Sequence, residues 1–190
     1  CIVYGIGVSN VTLKDISIIG TQTTKDTSTC IKLVKNFVDT TSLPSIVFDN
    51  VTVKNTYTSG AGLCTYGIIA DSSSFIMKNS YVNVTGKSGS SDDRGSMKVK
   101  RSCKITLLNN SIICKSGESV DRVLWIYDVR CRFTLGYNQF MITTGAVFSE
   151  SVAATGRFYN NVSNVDITGG GLVNLIGSAN NITDADILLQ

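Results

Sequence analysis

Histidine is absent from this chain, proline occurs once, at Pro44, and no two cysteines have the CxxC spacing. The commonest zinc ligands are therefore missing or unpaired, and neither a metal nor any other cofactor is expected. Charge is scarce. The 17 basic and 14 acidic residues leave a net +3, too little for the basic surface that nucleic-acid binding demands. No apolar run reaches the roughly 18 residues of a membrane-spanning helix, so no membrane partner is expected. Helix formers are sparse, and no window keeps a 3.6-residue apolar period.

Hydrophobic residues, by contrast, make up 43% of the 190 positions against 16% charged, a balance that favours a buried core over disorder. The polar exterior must come from Ser, Thr, Asn and Gly, residues of turns and strand surfaces. Apolar alternation of strand type recurs, as in Ile2-Val3-Tyr4-Gly5-Ile6-Gly7-Val8 and Ser45-Ile46-Val47-Phe48. One domain is expected over 1–190. The chain opens on Cys1 and runs straight into a strand-like segment, so it reads as a piece of a longer protein.

An internal repeat organises these strands. Short apolar segments ending in Asn or Asp recur, among them Val11-Thr12-Leu13-Lys14-Asp15, Ile46-Val47-Phe48-Asp49-Asn50, Phe75-Ile76-Met77-Lys78-Asn79 and Thr106-Leu107-Leu108-Asn109-Asn110. The Asx positions are Asp15, Asn50, Asn79, Asn110, Asn138, Asn161 and Asn181. Their spacing shrinks from 35 residues (15 to 50) to 20 (161 to 181), as expected if insertions lengthen the early repeats. A further strand follows each Asx, as in Val51-Thr52-Val53 and Ile112-Ile113-Cys114. Three short strands and three turns make one repeat, which cannot bury its inner face alone and must stack on its neighbours. Asn in a tight bend tolerates left-handed backbone angles, and stacked Asn side chains can bond one another. The Asx residues are thus expected to line one edge as a structural ladder, about 5 Å apart.

Segments such as Gly7-Val8-Ser9-Asn10-Val11-Thr12-Leu13 resemble the repeat of the right-handed parallel β-helix superfamily, of the pectate-lyase and phage-tailspike type. The resemblance covers nearly the whole chain. It implies an all-β fold, a right-handed parallel β-helix solenoid of about seven coils. It is far less specific for activity. The function it implies is a virion-appendage or cell-surface module resembling a tail spike or tail fibre, extracellular or on the virion surface. Such a module recognises surface polysaccharide or joins other appendage proteins, with a homotrimer as the implied assembly. The alternative is a carbohydrate-active enzyme of the same fold, a polysaccharide lyase or glycoside hydrolase. A β-sandwich is the rival fold, since it too shows frequent turns, although it requires no Asx ladder.

Solenoid insertions map to loops, often on the binding face. Three stand out, over 21–29, 86–95 and 116–122. They carry the catalytic candidates Asp92, Asp93, Glu118 and Asp121, because paired carboxylates are the machinery of glycoside hydrolysis. No spacing selects among them, and adjacent Asp92 and Asp93 point opposite ways in an extended stretch. Arg94 and Arg122 are candidate carbohydrate contacts, with Trp125 and Tyr127 as a stacking platform if they face outward. Strand parity counted back from Val129 and Cys131 turns both aromatics inward, unless an intervening bend resets it. Lys98, Lys100, Arg101 and Lys104 read as the solvent face of a strand, with a patch for an anionic ligand as the alternative. Cys103 and Cys131 fall at matching places and read as buried thiols in a column rather than a disulfide. Asn-x-Ser/Thr triplets at Asn10, Asn50, Asn83, Asn109, Asn161 and Asn181 read as by-products of the repeat.

Overall fold

Runs of β-branched and aromatic residues cut by Asx, Gly and Ser become strands in this chain. The structure, a computed structural model, describes residues 3–6, 11–23, 28–34, 45–58, 64–86, 93–116, 121–126, 130–143, 145–150, 154–164, 173–179 and 182–183. In chain order the strands are β1 (Val3–Ile6), β2 (Val11–Lys14), β3 (Ser17–Gln22), β4 (Ser28–Val34), β5 (Ser45–Asp49), β6 (Thr52–Tyr57) and β7 (Cys64–Asp71). They continue as β8 (Ser74–Lys78), β9 (Tyr81–Gly86), β10 (Asp93–Lys100), β11 (Lys104–Leu108), β12 (Ser111–Ser116), β13 (Asp121–Ile126) and β14 (Arg132–Gly136). The last are β15 (Gln139–Ile142), β16 (Gly145–Glu150), β17 (Ala154–Tyr159), β18 (Val162–Ser163), β19 (Val173–Ala179) and β20 (Ile182–Thr183).

The chain is all-β, and its strands fall into three sheets. The first is β1-β4-β7-β10-β13-β16, the second β2-β5-β8-β11-β14-β17-β19 and the third β3-β6-β9-β12-β15-β18-β20. Every strand pairing among the described residues is parallel, and β1 to β18 go to the three sheets in strict rotation. Parallel neighbours need a crossover; here it is the passage through the other two sheets. The arrangement is compatible with a parallel β-helix and disposes of the sandwich, whose strands pair antiparallel.

The corner between the second and third sheets is the most regular part. It is always two residues: Asp15-Ile16, Asn50-Val51, Asn79-Ser80, Asn109-Asn110, Tyr137-Asn138 and Asn160-Asn161. The first residue of each pair has a left-handed φ between 52° and 58°, which Asn and Asp tolerate best. The Asx residues expected in one line therefore occupy two adjacent columns. Asp15, Asn50 and Asn79 stand at the exposed first position, and Asn110, Asn138 and Asn161 at the buried second. Asn181 lies outside the described residues.

Each column has its own hydrogen bonds. On the outside, the Asn50 amide donates to Asp15 (2.7 Å), Asn79 to Asp49 (3.0 Å) and Asn109 to Asn79 (2.9 Å). Inside, Asn110 Nδ2 donates to Asn138 Oδ1 (2.9 Å) and Asn138 Nδ2 to Asn161 Oδ1 (3.0 Å). The same Nδ2 atoms reach back to the carbonyls of Met77 and Leu107, both at 2.9 Å. The backbone N–H groups of Ser80, Asn110 and Asn138 donate to the Oδ1 of the next buried Asn, each at 3.0 Å. Asn161 is fully buried and donates to the Leu135 carbonyl (3.0 Å).

One hydrophobic cluster runs through the strands. In the second sheet the inward columns are Val11, Ile46, Phe75, Ile105 and Phe133, and Leu13, Phe48, Met77, Leu107, Leu135 and Phe158. The first sheet breaks strict alternation. Cys30 and Ile31, Ser96 and Met97, and Val123 and Leu124 are consecutive pairs that are all buried. At the matching place in β7, a Cβ on Gly67 would meet Val82 at 3.1 Å and the Ser96 carbonyl at 2.9 Å, so Gly67 faces the core immediately before buried Ile68. Side-chain parity therefore slips by one in the middle of each of these strands.

Candidate functional site

The three insertions all fall where the third sheet returns to the first, over 23–27, 87–92 and 117–120. Longer connections also leave the first sheet for the second, over 35–44 and 127–131. The first sheet is thus bordered on both edges by the variable connections, whereas the opposite corner never exceeds two residues.

The parity slip decides what stands on this sheet's outer face. With Val123 and Leu124 both inward, Arg122 and Trp125 face out. Tyr66, Ile69 and Trp125 form a small cluster separate from the main core. Lys98 is in register with both Ile69 and Trp125. Tyr66 and Trp125 belong to β7 and β13, on either side of β10, yet their ring centroids are 6.2 Å apart. Gly95 of β10 lies in register with Tyr66.

Two cations cap the rings. Lys98 Nζ lies 4.0 Å from the Trp125 ring centroid and 5.0 Å from that of Tyr66, and donates to the Tyr66 hydroxyl (3.2 Å). The Arg122 guanidinium carbon lies 4.8 Å from the Trp125 centroid. Each such contact is worth about 0.5–2 kcal/mol, and the lysine stem also covers apolar ring surface. Trp125 keeps only 7% of its surface and Tyr66 none. The face therefore carries positive charge held on aromatic rings. A sugar ring could stack on Trp125 only by displacing Lys98 and Arg122.

The other candidates divide as follows. Asp93 and Asp121 open the neighbouring strands β10 and β13, and Arg94 follows Asp93. Asp92, Glu118 and Tyr127 lie outside the described residues. Sequence reasoning missed Tyr66 and gave Lys98 to the solvent face of a strand, with a patch for an anionic ligand as the alternative. The signal for both was the register of three successive strands, which parity within a single strand does not supply. Among the described residues no group of three or more His, Cys, Asp or Glu side chains is placed to hold a metal.

At the edge facing the second sheet, Ser72 and Arg101 take left-handed φ values of 48° and 53°. Arg101 pairs with Asp71 at 2.6 Å. Just beyond stand Ser73, Cys103 and Cys131, each preceding a strand of the second sheet and each buried. Both cysteines are free thiols. Cys103 donates to the Lys100 carbonyl (3.2 Å). Its hydrogen bond with the Cys131 thiol, and then burial, push its pKa well above that of an ordinary thiol. Thiolate chemistry at this corner is thereby suppressed.

No protein-family model, no curated protein and no solved structure matches this chain.

Proposed function

We propose that the chain is a right-handed parallel β-helix of about seven coils, a module of a virion appendage or cell-surface protein resembling a tail spike or tail fibre. In this reading it acts outside the cell or on the virion surface, as a homotrimer or joined to other appendage proteins. The outer face of its first sheet recognises acidic surface polysaccharide. The observation that carries the reading is the Lys98–Trp125–Arg122 cluster on the one sheet bordered by long connections on both edges. A second reading, a polysaccharide lyase or glycoside hydrolase, is favoured by Asp93 and Asp121 at the starts of adjacent strands.

Trp125 is the only tryptophan in the sequence, so its emission reports on this face directly. The protein is titrated with bacterial capsular, lipopolysaccharide and plant acidic polysaccharides, while chain length and unsaturated products are followed. Saturable change in Trp125 emission without cleavage, lost in Arg122→Ala, supports recognition. Depolymerisation lost in Asp93→Asn or Asp121→Asn moves the protein to the enzyme reading. No response to any polymer refutes both.

A further inference from the structure

A groove lies away from the first sheet, along the corner between the second and third. It has a volume of about 360 Å³ and is lined by Asn79, Ser80, Tyr81, Asn109, Asn110, Ser111, Tyr137 and Gln139. The volume is near the lower end for small-ligand sites. Not one lining residue is charged, so this groove differs in kind from the cationic face described above.

Its most unusual member is Tyr137. This residue occupies the left-handed corner position held by Asx in the other five corner pairs, with φ 58°. Bulky side chains adopt that conformation at a cost, and such outliers concentrate at functional sites. The ring is not buried in compensation, since 60% of Tyr137 is exposed. It is, however, held in place. Tyr159 stands edge-on to it, with centroids 5.6 Å apart and planes at 87°. The room for Tyr159 comes from Gly136, where a Cβ would collide with the Tyr159 ring.

Tyr137 also ends the outer amide column. Asn109 donates to Asn79, but a tyrosine cannot pass the amide bond on, so Asn109 Oδ1 is left as an acceptor beside the exposed ring. Among the described residues, the side chains of Ser111 and Gln139 make no hydrogen bond. The groove thus combines a fixed, exposed aromatic ring with amide and hydroxyl groups that have capacity to spare. Tyr81 closes it two strands away, roughly 9–10 Å along the stack.

We propose that this corner groove is a subsite for an uncharged sugar ring of a glycan. Tyr137 packs against the apolar face of the ring, and Asn109, Ser111 and Gln139 bond its hydroxyls. The inference rests on the carbohydrate-recognition reading but assigns the neutral part of the ligand to a different surface.

The test is calorimetric titration of the protein with neutral hexose oligosaccharides of gluco-, manno- and galacto- configuration, and separately with acidic oligosaccharides. Tyr137→Asn restores the residue type preferred at this corner, so its melting midpoint should hold or rise. It should nevertheless weaken neutral-sugar binding at least tenfold and leave acidic-sugar binding within twofold. Gln139→Ala should weaken neutral-sugar binding by a smaller factor. Neutral binding unchanged in Tyr137→Asn, or acidic binding with no neutral binding, overturns the groove while the first-sheet reading stands. Failure of every sugar to bind overturns both.

Discussion

Replacing Asn138 by Leu tests the buried amide column at its best-connected member. The Asn138 side chain takes part in four hydrogen bonds. Its Oδ1 accepts from Asn110 N (3.0 Å) and Asn110 Nδ2 (2.9 Å), and its Nδ2 donates to Leu107 O (2.9 Å) and Asn161 Oδ1 (3.0 Å). Leucine is near in size but offers none of these. Asn110 Nδ2 keeps the Met77 carbonyl and Asn161 Oδ1 keeps the Asn138 N–H. The Asn110 N–H and the Leu107 carbonyl lose these bonds in the interior, where water cannot replace them. At about 1–3 kcal/mol for each buried group so stranded, less some gain from the apolar side chain, the net loss is about 2–4 kcal/mol. Urea unfolding followed by far-ultraviolet circular dichroism measures it, with Gln139→Leu, the exposed next residue, as the control. The control should stay within about 0.5 kcal/mol of the parent. A loss below about 1 kcal/mol for Asn138→Leu would refute the argument that the column is structural.

Three further outcomes are expected. The Asn79 amide and then Lys78 hold the Asp49 carboxyl below its usual range, so this group adds stability above the unfolded-state pKa and loses it as pH falls through the folded one; Asp49→Asn should be less stable than the parent at neutral pH and match it near pH 2, and a gap independent of pH would contradict this. Ser96 is fully buried with its hydroxyl unpaired, so Ser96→Ala should raise stability by about 1 kcal/mol, and a fall of the same size would mean the hydroxyl has a partner. Peptide mapping after brief exposure to iodoacetamide at neutral pH should find Cys103 unmodified until the protein is unfolded; rapid labelling in the native state would contradict the burial and the raised thiol pKa.

The rotation of strands through three sheets was legible because Asx residues punctuate the sequence at each repeat. Which Asx belonged to which column was not. Consecutive pairs such as Asn109-Asn110 and Asn160-Asn161 supply either choice, and Ser80 or Val51 at the buried position carries no Asn signal. Counting two residues on from the inward column of the second sheet (Leu13, Phe48, Met77, Leu107, Leu135, Phe158) separates the columns, giving Asp15, Asn50, Asn79, Asn109, Tyr137 and Asn160. The orientation of Trp125 was hidden for a different reason. Parity assumes that alternation holds along a strand, and the adjacent inward residues Val123 and Leu124 break it. The groove at Tyr137 was invisible because its lining comes from three strands some thirty residues apart in sequence.

The two amide columns run in opposite senses. Outside, each amide donates toward the lower-numbered strand, from Asn109 to Asn79 and from Asn50 to Asp15. Inside, each donates toward the higher-numbered one, from Asn110 to Asn138 and on to Asn161. Hydrogen-bonded amides polarise one another along a chain, and a single column would build a moment that grows with every strand added, as an α-helix does. Opposed columns subtract. The outer bonds run from Asn109 down to Asp15 and the inner ones from Asn110 up to Asn161, so the two moments meet back to back near Asn109-Asn110, their sum stays small, and a charge near one end of the corner meets the same sign of side-chain dipole as a charge near the other.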